Sequence, residues 1–189
     1  MVQPRNYKAK VCLVGEAAVG KTSLIRRFVV SQYSDSYLMT IGVKVSKKRL
    51  EVTLPNDETP YVLELSIWDV MGQPQFRELL QDAYFTGVAG IIAVADLTRT
   101  STIQALYEWI DRVDKVTSQA PVVVAGNKAD LAKNIDAAAL ASLAKSVHGI
   151  AFRTSAKTGE NVEQAFQTLG TRIIEKAAKA RAEKAPTPS

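Results

Sequence analysis

Two rhythms of apolar and polar positions take turns along this chain. The run Ala9 to Val14 is mostly apolar and ends at a glycine-containing loop, which predicts a buried strand. Thr22 to Val30 follows with Leu24/Phe28 and Ile25/Val29 each four apart, the spacing of one helix side. Val43 to Leu54 and Tyr61 to Val70 alternate like strands. Between them, Pro55-Asn56-Asp57-Glu58-Thr59-Pro60 is turn-rich, so the two strands are expected to form an antiparallel hairpin.

The alternation of elements continues to the C-terminus. Val88 to Ala95 is a continuous apolar strand, and Ile103, Leu106, Tyr107, Ile110 and Val113 mark the stripe of a helix. Pro121 to Ala125 predicts another buried strand. Leu140, Leu143 and Val147 fall on a helix, and Ile150 to Thr154 on a short strand. Val162, Ala165, Phe166, Leu169 and Ile173 mark a last long helix. Strands apolar on both faces and separated by helices imply an α/β fold with a mostly parallel sheet covered by helices. Ligands of such sheets bind at the carboxyl ends of the strands.

Composition narrows the picture. A length of 189 residues suits one domain, and 47% hydrophobic residues suffice for a sizeable core. The single cysteine, Cys12, excludes a disulfide framework and suits a reducing cytosol. The polar N-terminus lacks a signal peptide's apolar stretch, and no apolar run is long enough to span a bilayer. A cytoplasmic protein is expected. The net charge is +5, but the basic residues are dispersed and lack interleaved aromatics, which argues against a nucleic-acid binder. Two local clusters stand out: Lys44 with Lys47, Lys48 and Arg49, and the stretch from Lys176 to Lys184. The first reads as an edge strand blunted by charge rather than an acidic-partner site. The second reads as a solvated helix end, with weak, salt-sensitive membrane contact in the absence of lipid. His148 receives no chemistry.

Chemistry-bearing motifs follow predicted strands. Gly15-Glu16-Ala17-Ala18-Val19-Gly20-Lys21-Thr22 has the phosphate-loop pattern. Backbone N–H groups of such a loop and the next helix's N-terminus cradle phosphates. Lys21 is expected to reach the β- and γ-oxygens, and the Thr22 hydroxyl to ligate Mg²⁺. Asn127-Lys128-Ala129-Asp130 selects the base: a carboxylate at Asp130 accepts from guanine N1–H and the exocyclic amine, a donor pair that adenine lacks. Within Asp69-Val70-Met71-Gly72-Gln73, Asp69 is suited to hold Mg²⁺ through water, Gly72 to meet the γ-phosphate and Gln73 to orient an attacking water. Thr40, in Thr40-Ile41-Gly42, is placed to complete the metal shell. Thr154-Ser155-Ala156-Lys157 offers backbone N–H groups to guanine O6.

These motifs, in this order from about Lys8 to Ile174, resemble a Ras-superfamily small GTPase. The runs Tyr37 to Val43 and Ile67-Trp68-Asp69 resemble the Rab branch. The resemblance implies the P-loop NTPase three-layer fold: a six-stranded, mostly parallel sheet with one antiparallel edge strand and five flanking helices. It implies a tail at 1–7, a GTPase domain at 8–178 and a flexible tail at 179–189. It makes Tyr33 the aromatic that stacks on guanine and Tyr37 the one that closes over the phosphates. The implied nucleotide set is Gly15, Ala18, Val19, Gly20, Lys21, Thr22, Ser23, Tyr33, Tyr37, Thr40, Gly72, Asn127, Lys128, Asp130, Leu131, Ser155, Ala156 and Lys157. The metal set is Thr22, Thr40 and Asp69, and the catalytic pair is Gln73 and Lys21. GTP, GDP and Mg²⁺ are the expected ligands. Effectors, an exchange factor and an activating protein are expected to act through 34–42 and 69–83.

Several residues depart from the family pattern. Ala17 and Ala18 replace the glycines of Ras, Val70-Met71 replaces Thr-Ala, and Pro74, suited to a helix's first turn, replaces Glu. The hairpin connection is longer than usual, and the C-terminal stretch carries no cysteine for prenylation, as in a truncated or unprenylated chain. No arginine in the sequence is evidently placed as a finger. A non-hydrolysing scaffold is the rival reading, opposed by the presence of Lys21, Thr40 and Gln73; a P-loop ATPase is opposed by Asp130.

Overall fold

A computed structural model describes residues 3–32, 43–55, 57–70, 84–117, 119–132 and 137–184. Six strands, β1 (Arg5–Val14), β2 (Val43–Leu54), β3 (Asp57–Val70), β4 (Val88–Asp96), β5 (Val122–Asn127) and β6 (Ile150–Arg153), form one sheet. Its order is β2-β3-β1-β4-β5-β6. The β2–β3 pair is antiparallel and every other pair parallel. Four helices are described: α1 (Lys21–Val30), α2 (Ser101–Val116), α3 (Ala137–Ser146) and α4 (Val162–Lys184). The predicted sheet is therefore present with its antiparallel edge strand, flanked by four described helices against the five expected. The helix start at Pro74 lies outside the described residues.

Strand alternation sends side chains into two cores. Val11 and Leu13 of β1, Ile92 and Val94 of β4, and Val123 and Ala125 of β5 meet α1 and α4 on one face. Their neighbours Cys12, Val14, Ile91, Ala93, Val122 and Val124 meet α2 and α3 on the other. Strands buried on both faces need continuous apolar runs, which is the sequence pattern. Burial pushes the Cys12 thiol up to about 12, so it stays protonated at neutral pH.

Beside β1 lie β3 on one flank and β4 on the other, and α1 and α2 leave on opposite faces. That divergence opens a crevice at the carboxyl ends of β1 and β4.

Several elements differ from their predicted extents. β1 starts at Arg5, before the apolar run, because its polar half pairs with Tyr61 to Glu64 of β3. The hairpin connection shrinks to residues 55–56: Leu54 pairs with Asp57, and a register shift after Val52 absorbs Pro60. A bulge tolerates a residue that cannot donate to the ladder. Asp57 caps this end, accepting from the Thr59 N–H at 2.9 Å and from the Tyr61 hydroxyl. Hydrogen bonds from Thr59 and then Tyr61 lower its carboxyl to about 2. On α2, Tyr107 is exposed and Trp109 is buried in its place, toward the loop after β1. Val147 packs on the core just beyond α3. α4 runs on to Lys184, well past the apolar stripe that ends at Ile173. β2 is an edge strand with Lys47 and Arg49 exposed, while Lys48 lies 5.5 Å over the Phe28 ring. Among the described residues no helix is long and apolar enough to cross a membrane.

The rings of Phe28 and Phe166 stack 3.9 Å apart and join α1 to α4 in the core. Phe166→Ala should lose ~3–5 kcal/mol of stability, the usual cost of emptying a buried aromatic site, seen as a lower midpoint in urea unfolding.

Candidate functional site

The loop from Gly15 to Gly20 turns from the buried end of β1 into α1 through backbone angles that suit glycine. Gly15 has φ +138°, and a Cβ there would stand 2.2 Å from the Val94 carbonyl oxygen of β4. Gly20 has φ +100°, and a Cβ would stand 2.3 Å from Asn127 Nδ2. Both glycines are therefore required by close approach as well as by conformation. Ala18 takes φ +61°, a left-handed conformation costing ~1–2 kcal/mol for a residue with a Cβ.

Gly20 is the N-cap of α1 and offers no side-chain cap, and the first turn carries no acidic residue. The helix N-terminus thus presents amide donors and positive potential to the loop. Lys21 is buried, and its Nζ donates to the carbonyls of Gly15 and Glu16, each at 2.8 Å. Trp109 Nε1 donates to Glu16 Oε1 at 3.3 Å from the α2 side.

Beside this loop, the Thr22 hydroxyl donates to Asp69 Oδ2 at 2.5 Å, bringing the start of α1 against the end of β3. A hydroxyl and a carboxylate in contact are hard oxygen donors, the set that suits Mg²⁺ with most of its waters retained. Among the described residues no group of three or more His, Cys, Asp and Glu could form a closed metal cage. Tyr33, Tyr37, Thr40, Gly72 and Gln73 lie outside the described residues.

On the other side of Gly20, the ends of β5 and β6 supply a second loop pair. Asn127 is buried; its Nδ2 donates to the Val19 carbonyl at 2.8 Å, and its Oδ1 accepts from the Ala156 N–H at 3.2 Å. Asp130 is exposed and its Oδ1 accepts from the Ser155 hydroxyl at 2.6 Å. Gly20, Ser23, Asn127, Lys128, Asp130, Leu131, Ala156 and Lys157 line one cavity of about 130 Å³. Every one of these belongs to the nucleotide set expected from the sequence, and Ser155 supports the cavity through Asp130.

Three contributors went unnoticed in the sequence. Arg27, on α1, donates through Nε to the Ala156 carbonyl at 2.7 Å and through Nη2 to the Lys157 carbonyl. Asp96, at the end of β4, is buried and accepts from Lys128 Nζ at 2.7 Å and Arg99 Nε at 3.0 Å. Arg99 also donates through Nη2 to the Ala17 carbonyl at 3.0 Å. Burial pushes the Asp96 carboxyl up, but hydrogen bonds from Lys128 and Thr98 outweigh it and hold the group below its ordinary value. The strand-end rule, applied to the run Val88 to Ala95, would have pointed at Asp96.

Comparison with known proteins agrees with this geometry. The Ras family model matches residues 10–175. The chain is 36% identical to the Ras-related protein Rab-1A of Dictyostelium discoideum over 171 residues, 89% of this chain and 81% of that protein. It is 36% identical to the GTP-binding protein YPTM1 of Zea mays over 172 residues, covering 89% and 79%. With the Ras-related protein RIC1 of Oryza sativa subsp. japonica it shares 35% identity over 188 residues, covering 97% and 89%. Joined to a phosphate loop and a cavity walled by Asn127 and Asp130, these matches mean that the chain belongs to the Ras family, as a Rab-like GTPase.

Proposed function

We propose that this GTPase is a guanine-selective molecular switch, working in the cytoplasm, that hydrolyses GTP slowly. The observation that carries the reading is one cavity lined by Gly20 of the phosphate loop, Ser23 of α1 and Asp130 of the base-reading loop. A nucleotide with its base at Asp130 has its phosphates directed toward the start of α1. Asp130 keeps a carboxylate for the paired donors of guanine; adenine would leave it desolvated and unmatched.

Lys21 supports the phosphate half. Its buried ammonium sits on two loop carbonyls, which a β- or γ-phosphate oxygen replaces with a stronger charge-assisted partner. Thr22 and Asp69, with Thr40, would hold Mg²⁺, which would supply positive charge against the phosphates. Gly72 offers its N–H to the γ-phosphate, and Gln73 orients the water that attacks the γ-phosphorus in line. The γ-phosphate orders segments 34–42 and 69–83, and its loss releases them. Effectors, an exchange factor and an activating protein read those segments. Nucleic acid is not a partner, and membrane contact without a lipid is weak.

The direct test identifies the nucleotide that co-purifies with the chain and times single-turnover hydrolysis with Mg²⁺; an empty protein, or bound GTP that persists, would remove the switch reading. Asp130→Asn should weaken GTP binding by roughly ten- to a hundredfold, the worth of hydrogen bonds to a charged group, and favour xanthine nucleotide; unchanged guanine preference would remove the base-reading role. Gln73→Leu should slow single-turnover hydrolysis while leaving GDP affinity intact, and an unaltered rate would point to another water-orienting group.

A further inference from the structure

Asp96 is 1% exposed and its carboxylate accepts four hydrogen bonds. Oδ1 takes the Thr98 N–H at 2.9 Å and the Thr98 hydroxyl at 2.6 Å. Oδ2 takes Lys128 Nζ at 2.7 Å and Arg99 Nε at 3.0 Å. Nε of the Arg99 guanidinium is therefore spent on Asp96, while Nη2 reaches the Ala17 carbonyl. A planar fork serves the two acceptors from two nitrogens in a fixed geometry, whereas a lysine ammonium would have to reach both from one.

What the Ala17 bond does follows from the peptide plane. The Ala17 carbonyl and the Ala18 N–H belong to one trans peptide and point in opposite directions. A cation that holds the carbonyl outward aims the N–H inward. Ala18 is also the loop residue held at φ +61°, where a side chain makes the conformation costly and an external restraint is needed. A second loop peptide is held in the same manner: Asn127 Nδ2 holds the Val19 carbonyl, and the same peptide carries the Gly20 N–H.

We propose that Arg99 is a positioning residue for the phosphates: anchored by Asp96, it fixes the Ala17–Ala18 peptide and aims the Ala18 N–H at the polyphosphate beyond the first phosphate. Asp96, through Lys128, holds the base-reading loop to the same anchor. The inference rests on the reading of Gly15 to Thr22 as the phosphate loop.

The test compares release of GDP, and affinity for GMP, in the full-length wild type and in the variants Arg99→Ala, Arg99→Lys and Lys21→Ala. Arg99 is half-exposed, so Arg99→Ala should fold, with an unchanged far-ultraviolet spectrum. It should release fluorescent GDP roughly three- to thirtyfold faster, the worth of one partly screened charge-assisted hydrogen bond. GMP, which has no second phosphate, should bind both proteins equally, and Arg99→Lys should not restore slow GDP release. Unchanged GDP release in Arg99→Ala, an equal loss for GDP and GMP, or full rescue by lysine would each overturn the proposal. Lys21→Ala separates the two levels. If it retains tight GDP, the phosphate-loop reading itself fails; if it loses GDP while Arg99→Ala does not, only the role of Arg99 fails.

Discussion

One side-chain amide ties together the loops on which this site depends. Asn127 donates to the Val19 carbonyl and accepts from the Ala156 N–H, with the Thr154 hydroxyl at 3.4 Å on the same oxygen. It is 1% exposed, so each of these bonds forms in a low-dielectric interior where losing a partner is costly. A carboxylate would lack the donor and a leucine both functions. The same amide occupies the space beside Gly20, which explains why that residue has no side chain. The phosphate loop and the base-reading loops are thereby joined directly through one side chain.

Around this tie the sheet supplies the frame. The second half of β1, with β4 and β5, is buried on both faces, and the loops leaving these neighbouring strands share one crevice. The end of β4 contributes Asp96 rather than a loop, and two cations converge on it. Each cation links this buried carboxylate to a loop: Lys128 belongs to the base-reading loop, and Arg99 reaches the Ala17 carbonyl. Arg27 performs a parallel task from α1, holding the carbonyls of Ala156 and Lys157.

The departures from the Ras pattern take on a physical meaning in this frame. Ala17 and Ala18 keep the loop's path, but Ala18 adopts a conformation that glycine would take freely. Its neighbour's carbonyl is the one that Arg99 holds. In this chain the alanine-bearing loop and the arginine that follows β4 meet at the Ala17–Ala18 peptide.

Much of this was legible in the chain itself. Apolar runs and helical spacing are local properties, and they located the strands and the described helices. The phosphate loop, Asn127, Asp130 and Asp69 were visible because each motif is compact in sequence. Other features depended on partners far away in the chain. The polar residues Arg5 to Lys8 form a strand because β3 offers them hydrogen bonds, and the hairpin's register was decided by the Leu54–Asp57 pairing. Trp109, three residues from Leu106 and four from Val113 on the buried side of α2, meets Glu16 from 93 positions away. Arg99 meets Ala17 across 82 positions, and Arg27 meets Ala156 across 129. The sequence by itself determined the elements, the order of the motifs and the chemistry each side chain offers. Which carbonyl an arginine holds, and which cations share a carboxylate, was decided by tertiary structure, because only packing brings such distant groups within hydrogen-bond reach.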